Sequence, residues 1–140
     1  MNEFNYYYPI QVRFGDLDPF SHVNNARFLT YLESTRLAYF QHLGLWKGKS
    51  FLDLEIIVAD VHISYIKPVY LGQNIRVGQR VTRIGNKSLH FAYQVEDSDN
   101  GDVMATATCV MVAYSYETLS SVPISDEWRK VISQFEKPEN

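Results

Sequence analysis

Two carboxylates, one imidazole and two carboxamides fall within ten residues in the stretch Phe14-Gly15-Asp16-Leu17-Asp18-Pro19-Phe20-Ser21-His22-Val23-Asn24-Asn25, just before a long helical pattern begins. A helix N-terminus carries unpaired N–H groups and about half a positive charge, which suits it to holding an oxyanion. A carboxylate a few residues upstream can face that spot. A group that attacks or activates water, set opposite donors that stabilise a developing negative oxygen, is the minimum equipment for acyl transfer. Taken singly, each residue has a plainer reading. Asp-X-Asp before Pro is often only a turn, Asn24 and Asn25 are good helix caps, and a lone histidine such as His22 is more often structural than catalytic. Together they read as an active-site loop feeding a helix N-terminus.

Other chemistries fit the residues less well. No Ser lies in a Gly-X-Ser-X-Gly elbow, which argues against a serine hydrolase. Asp16, Asp18 and His22 are capable metal ligands, but no second His, Cys or Glu cluster has matching spacing. His62 and His90 stand alone in strand patterns and His42 lies late in the helix, so no metal is expected. The single cysteine, Cys109, has no internal disulfide partner, and within the run Val103–Tyr114 it reads as a packed, inert thiol.

The elements that must position this loop follow from periodicity. Tyr6 to Phe14 reads as a strand, with Ile10, Val12 and Phe14 alternating with Gln11 and Arg13. From about Asn25 to Leu43 the period becomes helical. Phe28, Leu32, Tyr39 and Leu43 form a stripe that Leu29, Tyr31, Ala38 and Phe40 widen to an arc of roughly 200°. Thr30, Glu33, Ser34 and Gln41 fill the remaining sector, with Leu37 as the exception. An arc that wide belongs to a helix enclosed on most sides. Asn24 or Asn25 is its expected N-cap and Gly44 its expected C′ residue.

Phe51–Val58 is ambiguous, and Ile56–Ile66 is strand-like. Lys67-Pro68-Val69-Tyr70-Leu71-Gly72 breaks that run. Candidate strands Asn74–Ile84, Ser88–Asp97 and Asp102–Ser115 follow, separated by Gly85-Asn86 and by Asp97–Gly101. Gly78 is expected to mark a bulge. Ser125 can cap a short helix over Asp126–Phe135, with Glu136–Asn140 frayed. The segregated order of helix and antiparallel strands predicts an α+β fold, a sheet curling around one central helix in a single domain over 1–140.

Composition limits the partners. The chain has 140 residues, 46% hydrophobic and 21% charged, with ten Tyr and eight Phe, a content that favours β structure. Net charge is −3 and the basic residues form no run, which argues against nucleic acid. No stretch approaches the ~20 apolar residues needed to span a bilayer. Met1–Asn5 lacks the features of a signal peptide, so a cytoplasmic protein without membrane partners is expected.

Arg13-Phe14-Gly15-Asp16-Leu17-Asp18-Pro19, then His22-Val23-Asn24-Asn25 and Tyr31-Leu32-Glu33, closely resembles the hotdog-fold acyl-CoA thioesterases of the 4-hydroxybenzoyl-CoA thioesterase type. The Asp-Leu-Asp…His-Val-Asn-Asn portion is also similar to plant-type acyl-ACP thioesterases. Lys67-Pro68-Val69, the segment Thr82–Ser88 and the closing strand fall in family order. The resemblance implies a hotdog fold and hydrolysis of an acyl-CoA, or an acyl-ACP, to free acid and thiol with no metal or organic cofactor. It makes Asp18 the catalytic carboxylate, as nucleophile or as general base. The backbone N–H of Asn25 becomes the oxyanion donor, and Asn24, Lys87 and Ser88 become substrate or coenzyme A contacts. It also implies a homodimer or homotetramer with sites between protomers, one chain supplying Asp18 and the other supplying wall residues from Phe51–Val58. Phe20 departs from both patterns, since it stands where the acyl-ACP enzymes have an Asn two residues before their catalytic His. His22 is therefore a secondary candidate for orienting water or substrate, and Asp16 is assigned to shaping the loop.

Two other functions use the same residues. A hotdog hydratase or dehydratase also places a carboxylate and a His near this helix, but releases no thiol. A non-catalytic thioester-binding protein would keep the fold and lose turnover.

Overall fold

The structure, a computed structural model, describes residues 4–136. Of the stretch Glu136–Asn140, expected to fray, residues 137–140 lie outside the described residues, whereas Glu136 belongs to the last helix. The order of elements is β1 (Tyr6–Gln11), α1 (Asn25–His42), β2 (Ile56–Tyr65), β3 (Asn74–Ile84), β4 (Ser88–Asp97), β5 (Val103–Ser115), β6 (Ser120–Ser121) and α2 (Asp126–Glu136). All pairings are antiparallel, in the order β1-β3-β4-β5-β2, with β6 on the end of β5. The sheet curls around α1, the α+β hotdog arrangement that the sequence resemblance implies.

The α1 ends are fixed locally. Asn24 Oδ1 accepts the Ala26 N–H at 2.9 Å. At the other end Leu45 N–H donates to Phe40 O (2.9 Å) and Gly44 N–H to Gln41 O (3.0 Å). Gly44 has φ +75, so the helix closes in a Schellman motif that needs a left-handed residue. Phe28, Tyr31, Leu32, Tyr39 and Phe40 are buried against Leu89, Phe91, Tyr93 and Val95 of β4 and the small residues Ala105, Ala107 and Cys109 of β5. Each large apolar side chain buried there contributes about 1.5–3 kcal/mol.

Several details differ from the sequence expectation. β1 stops at Gln11, because Phe14–Asp16 forms a 3-10 turn in which Asp16 Oδ2 accepts the Arg13 N–H at 3.0 Å. In the ambiguous stretch Phe51–Val58, Phe51–Asp53 forms a 3-10 turn capped by Ser50, and the strand begins at Ile56 as expected. Leu29 is 47% exposed and Leu37 packs against the core. Arg36 is buried, its guanidinium reaching the Tyr93 hydroxyl at 3.3 Å and Cys109 Sγ at 3.9 Å. Gly78 makes no bulge. It pairs in register with Tyr7 and Gln94, and its absent side chain leaves room for the Phe4 ring, 2.8 Å from where a Cβ would sit. The β3 bulge falls at Thr82 instead.

Helix α2 starts where Ser125 Oγ accepts the Trp128 N–H (3.2 Å) and lays Ile132 into the core. Its last residue, Glu136, accepts from the Tyr39 hydroxyl (2.6 Å) and the Val81 N–H (2.8 Å) through one oxygen, Oε2. No helix among the described residues is long and apolar enough to cross a membrane.

Candidate active site

The loop between β1 and α1 is held in a tight fold by its own backbone. Leu17 and Val23 form an isolated antiparallel bridge. Inside it, Asp18 N–H donates to His22 O and Ser21 N–H to Asp18 O, each at 3.0 Å. Ser21 adopts φ +68, which turns the chain back. Two further bonds anchor the loop, from Val23 N–H to Val69 O (2.8 Å) and from Asn24 N–H to Asp16 O (2.9 Å).

The two aspartates have different surroundings. Asp16 accepts from the Arg13 N–H and from the Tyr31 hydroxyl (2.8 Å), with Arg27 Nε 3.9 Å away. Burial, reinforced by Asp16, pushes the Tyr31 hydroxyl well above its ordinary pKa, so it stays a donor. Asp18 spends only Oδ1 on the protein, accepting the Phe20 N–H at 2.9 Å. Its Oδ2 has no partner among the described residues. His22 Nδ1 stands 4.0 Å from Asp18 Oδ1, beyond hydrogen-bonding distance, and its ring lies between Phe20 and Tyr70.

Asp18 shares a groove of about 310 Å³ with His22, Asn25, Phe28, Tyr65 and Lys67. Asn25 is the first helical residue, so its N–H has no acceptor in the helix pattern, and none among the described residues takes it. Asp18, with an unengaged oxygen, and Asn25, with an N–H that no described residue claims, thus line one cleft. A carbonyl placed between them would meet a base or nucleophile on one side and a hydrogen-bond donor on the other.

The sequence-predicted residues do not all gather there. Asp18, His22 and Asn25 line the groove, and the Asn24 side chain is spent on capping. Lys87 and Ser88 sit at the β3–β4 turn, at the opposite end of the sheet. Ser88 is level with Val112 and Ile57, whereas the groove is level with Tyr65 and Ala105. Seven residues of β5 separate the two levels, roughly 23 Å. Lys87 Nζ rests 3.5 Å from Ser121 Oγ, and Ser88 Oγ lies 3.2 Å from His90 Nε2. Tyr65 was missed by the sequence reading, although its place in the period-two pattern after Val61 and Ile63 signals an inward side chain at a strand end. Its hydroxyl donates to Asn25 O at 3.0 Å.

A family model described as the thioesterase-like superfamily matches residues 12–132. The chain is 25% identical over 128 residues to the long-chain acyl-CoA thioesterase FadM of Escherichia coli, covering 91% of this chain and 97% of FadM. It superposes with a TM-score of 0.85 on a thioesterase from Thermus thermophilus complexed with coenzyme A and zinc, at 32% identity, covering 99% of this chain and all of that one. A 1,4-dihydroxy-2-naphthoyl-CoA thioesterase from Synechocystis shares the fold, with a TM-score of 0.83 at 16% identity over 94% of this chain and 98% of that one. Among the described residues no three His, Cys, Asp or Glu side chains group so as to hold a metal ion.

Proposed function

This chain belongs to the thioesterase-like superfamily and is a hotdog-fold thioesterase, and from that premise we propose that it cleaves an acyl-CoA to free acid and CoA at the Asp18 groove. One observation carries the assignment of residues: Asp18, whose Oδ2 is unengaged among the described residues, lines the same groove as Asn25, whose N–H no described residue claims. Acting as general base, Asp18 takes a proton from water while the hydroxide adds to the thioester carbonyl. The carbonyl oxygen becomes an oxyanion held by the Asn25 N–H, and collapse breaks the C–S bond and expels the thiolate, which receives the proton. Acting as nucleophile, Asp18 forms a mixed anhydride with loss of the thiolate, and water then cleaves the anhydride. His22, on the groove wall, orients water or substrate in either case.

Coenzyme A in the Thermus structure and the acyl-CoA of FadM's name favour CoA over an acyl carrier protein. The site reading also includes a homodimer. β2 is an edge strand that exposes Ile57 and Val58, an arrangement open to pairing with a second copy. Antiparallel pairing of β2 with its own copy would bring the Ile57 end of one protomer toward the Tyr65 end of the other. Lys87 and Ser88 would thereby reach the partner's groove, where a cation suits phosphate.

A panel of acyl-CoA and acyl-ACP thioesters, followed by thiol release, tests this directly. Release of CoA supports hydrolysis. A product formed without free thiol would point to hydration or dehydration, and binding without turnover would point to a thioester-binding protein.

A further inference from the structure

We propose that Tyr65 is a positioning residue that sets the aim of the Asn25 N–H through a hydrogen bond to the carbonyl of the same residue. This rests on the reading of that N–H as the oxyanion donor. Tyr65 ends β2, and its ring lies edge-on to Phe28 at 5.2 Å and 82°. The hydroxyl lies 3.0 Å from Asn25 O.

Satisfaction of the carbonyl does not require this bond. In the helical pattern Asn25 O accepts from the amide four residues on, and the Tyr65 hydroxyl takes the second lone pair. Tyr65 is 48% exposed, so water can replace either partner at small cost in stability. What water cannot replace is direction. The bond ties the first residue of α1 to the end of a strand, while the Asn24 cap and the Val23–Val69 bond hold the preceding residues. Asn25 is thereby fixed from both sides. A displacement of about 1 Å at a reacting centre can cost up to ~100-fold in rate, so a modest tilt of this residue reaches kcat.

Tyr65→Phe keeps the ring against Phe28 and removes only the hydroxyl. The expected result is a kcat about tenfold lower, with KM within about twofold, an unchanged thermal midpoint, and a shift of the Ala26 amide resonance, whose peptide contains the Asn25 carbonyl. A kcat equal to wild type, a loss confined to KM, or a loss matched by a lower midpoint would each overturn the proposal. Asp18→Asn measured in parallel separates this from the underlying reading. If Asp18→Asn is inactive and Tyr65→Phe is fully active, only the role of Tyr65 fails; if Asp18→Asn stays active, the assignment of the site itself fails.

Discussion

The Tyr31 hydroxyl donates to Asp16 Oδ2 at 2.8 Å, clamping the second turn of α1 to the corner where β1 ends. The bond separates two aspartates that stand only two residues apart. Asp16 is committed to the frame, and Asp18 keeps an oxygen free.

Tyr31→Phe therefore removes a frame contact and leaves the groove intact. Loss of this charge-assisted bond is expected to lower unfolding stability by about 1.5–3 kcal/mol, measured by denaturant titration. The kcat for thiol release by the same preparation should change little. A large fall in kcat at unchanged stability would place Asp16 in the chemistry.

Glu136 gives a pH prediction. Burial raises its pKa, outweighing the bonds from Tyr39 and Val81. A carboxyl whose pKa is raised in the folded state contributes most below its unfolded value near 4.5, and that contribution is lost as pH climbs through the folded value. Glu136→Gln retains an oxygen that can accept both bonds and removes the charge. Its thermal midpoint relative to wild type should be higher at pH 7.5 than at pH 4.5. A difference that is constant with pH, or reversed, would contradict this.

Cys109 is 1% exposed, and burial pushes its thiol pKa upward despite the nearby Arg36. The native protein should react with an aromatic disulfide reagent at neutral pH only slowly, and release one equivalent on unfolding. Rapid stoichiometric labelling of folded protein would show that the thiol is reachable.

Much of this arrangement was legible in the chain because the deciding signals are local. Gly85-Asn86 and Asp97–Gly101 separate β3, β4 and β5 at their observed ends, and Asn24 and Gly44 mark the limits of α1. Residue types alone read the opening loop as a polar entry to a buried helix, and the family resemblance singled out Asp18 within it. Long-range packing accounts for what was missed. Gly78 is small because the Phe4 ring crosses it, Arg36 is buried because Tyr93 and Cys109 receive it, and Tyr65 reaches a carbonyl forty residues upstream. None of these partners can be inferred from neighbours in sequence. The gap of roughly 23 Å between Lys87 and the groove is likewise a property of strand register, and a second copy paired on β2, as proposed above, would close it.

The edge strand supplies a further prediction. Wild-type protein should sediment as a multiple of its 16.2 kDa chain. Ile57→Asp, which places a charge on the exposed edge, should shift it toward the monomer and lower thiol release together. Full activity from a monomeric variant would rule out a site shared between protomers.

The most direct measurement is thiol release from acyl-CoA by Asp18→Asn. Asn retains an oxygen for the Phe20 N–H, so the loop keeps its turn while the carboxylate is lost. The predicted result is a kcat at least ~100-fold below wild type at an unchanged thermal midpoint, the scale for removing a base or nucleophile. Hydrolysis near the wild-type rate would contradict the assignment of Asp18.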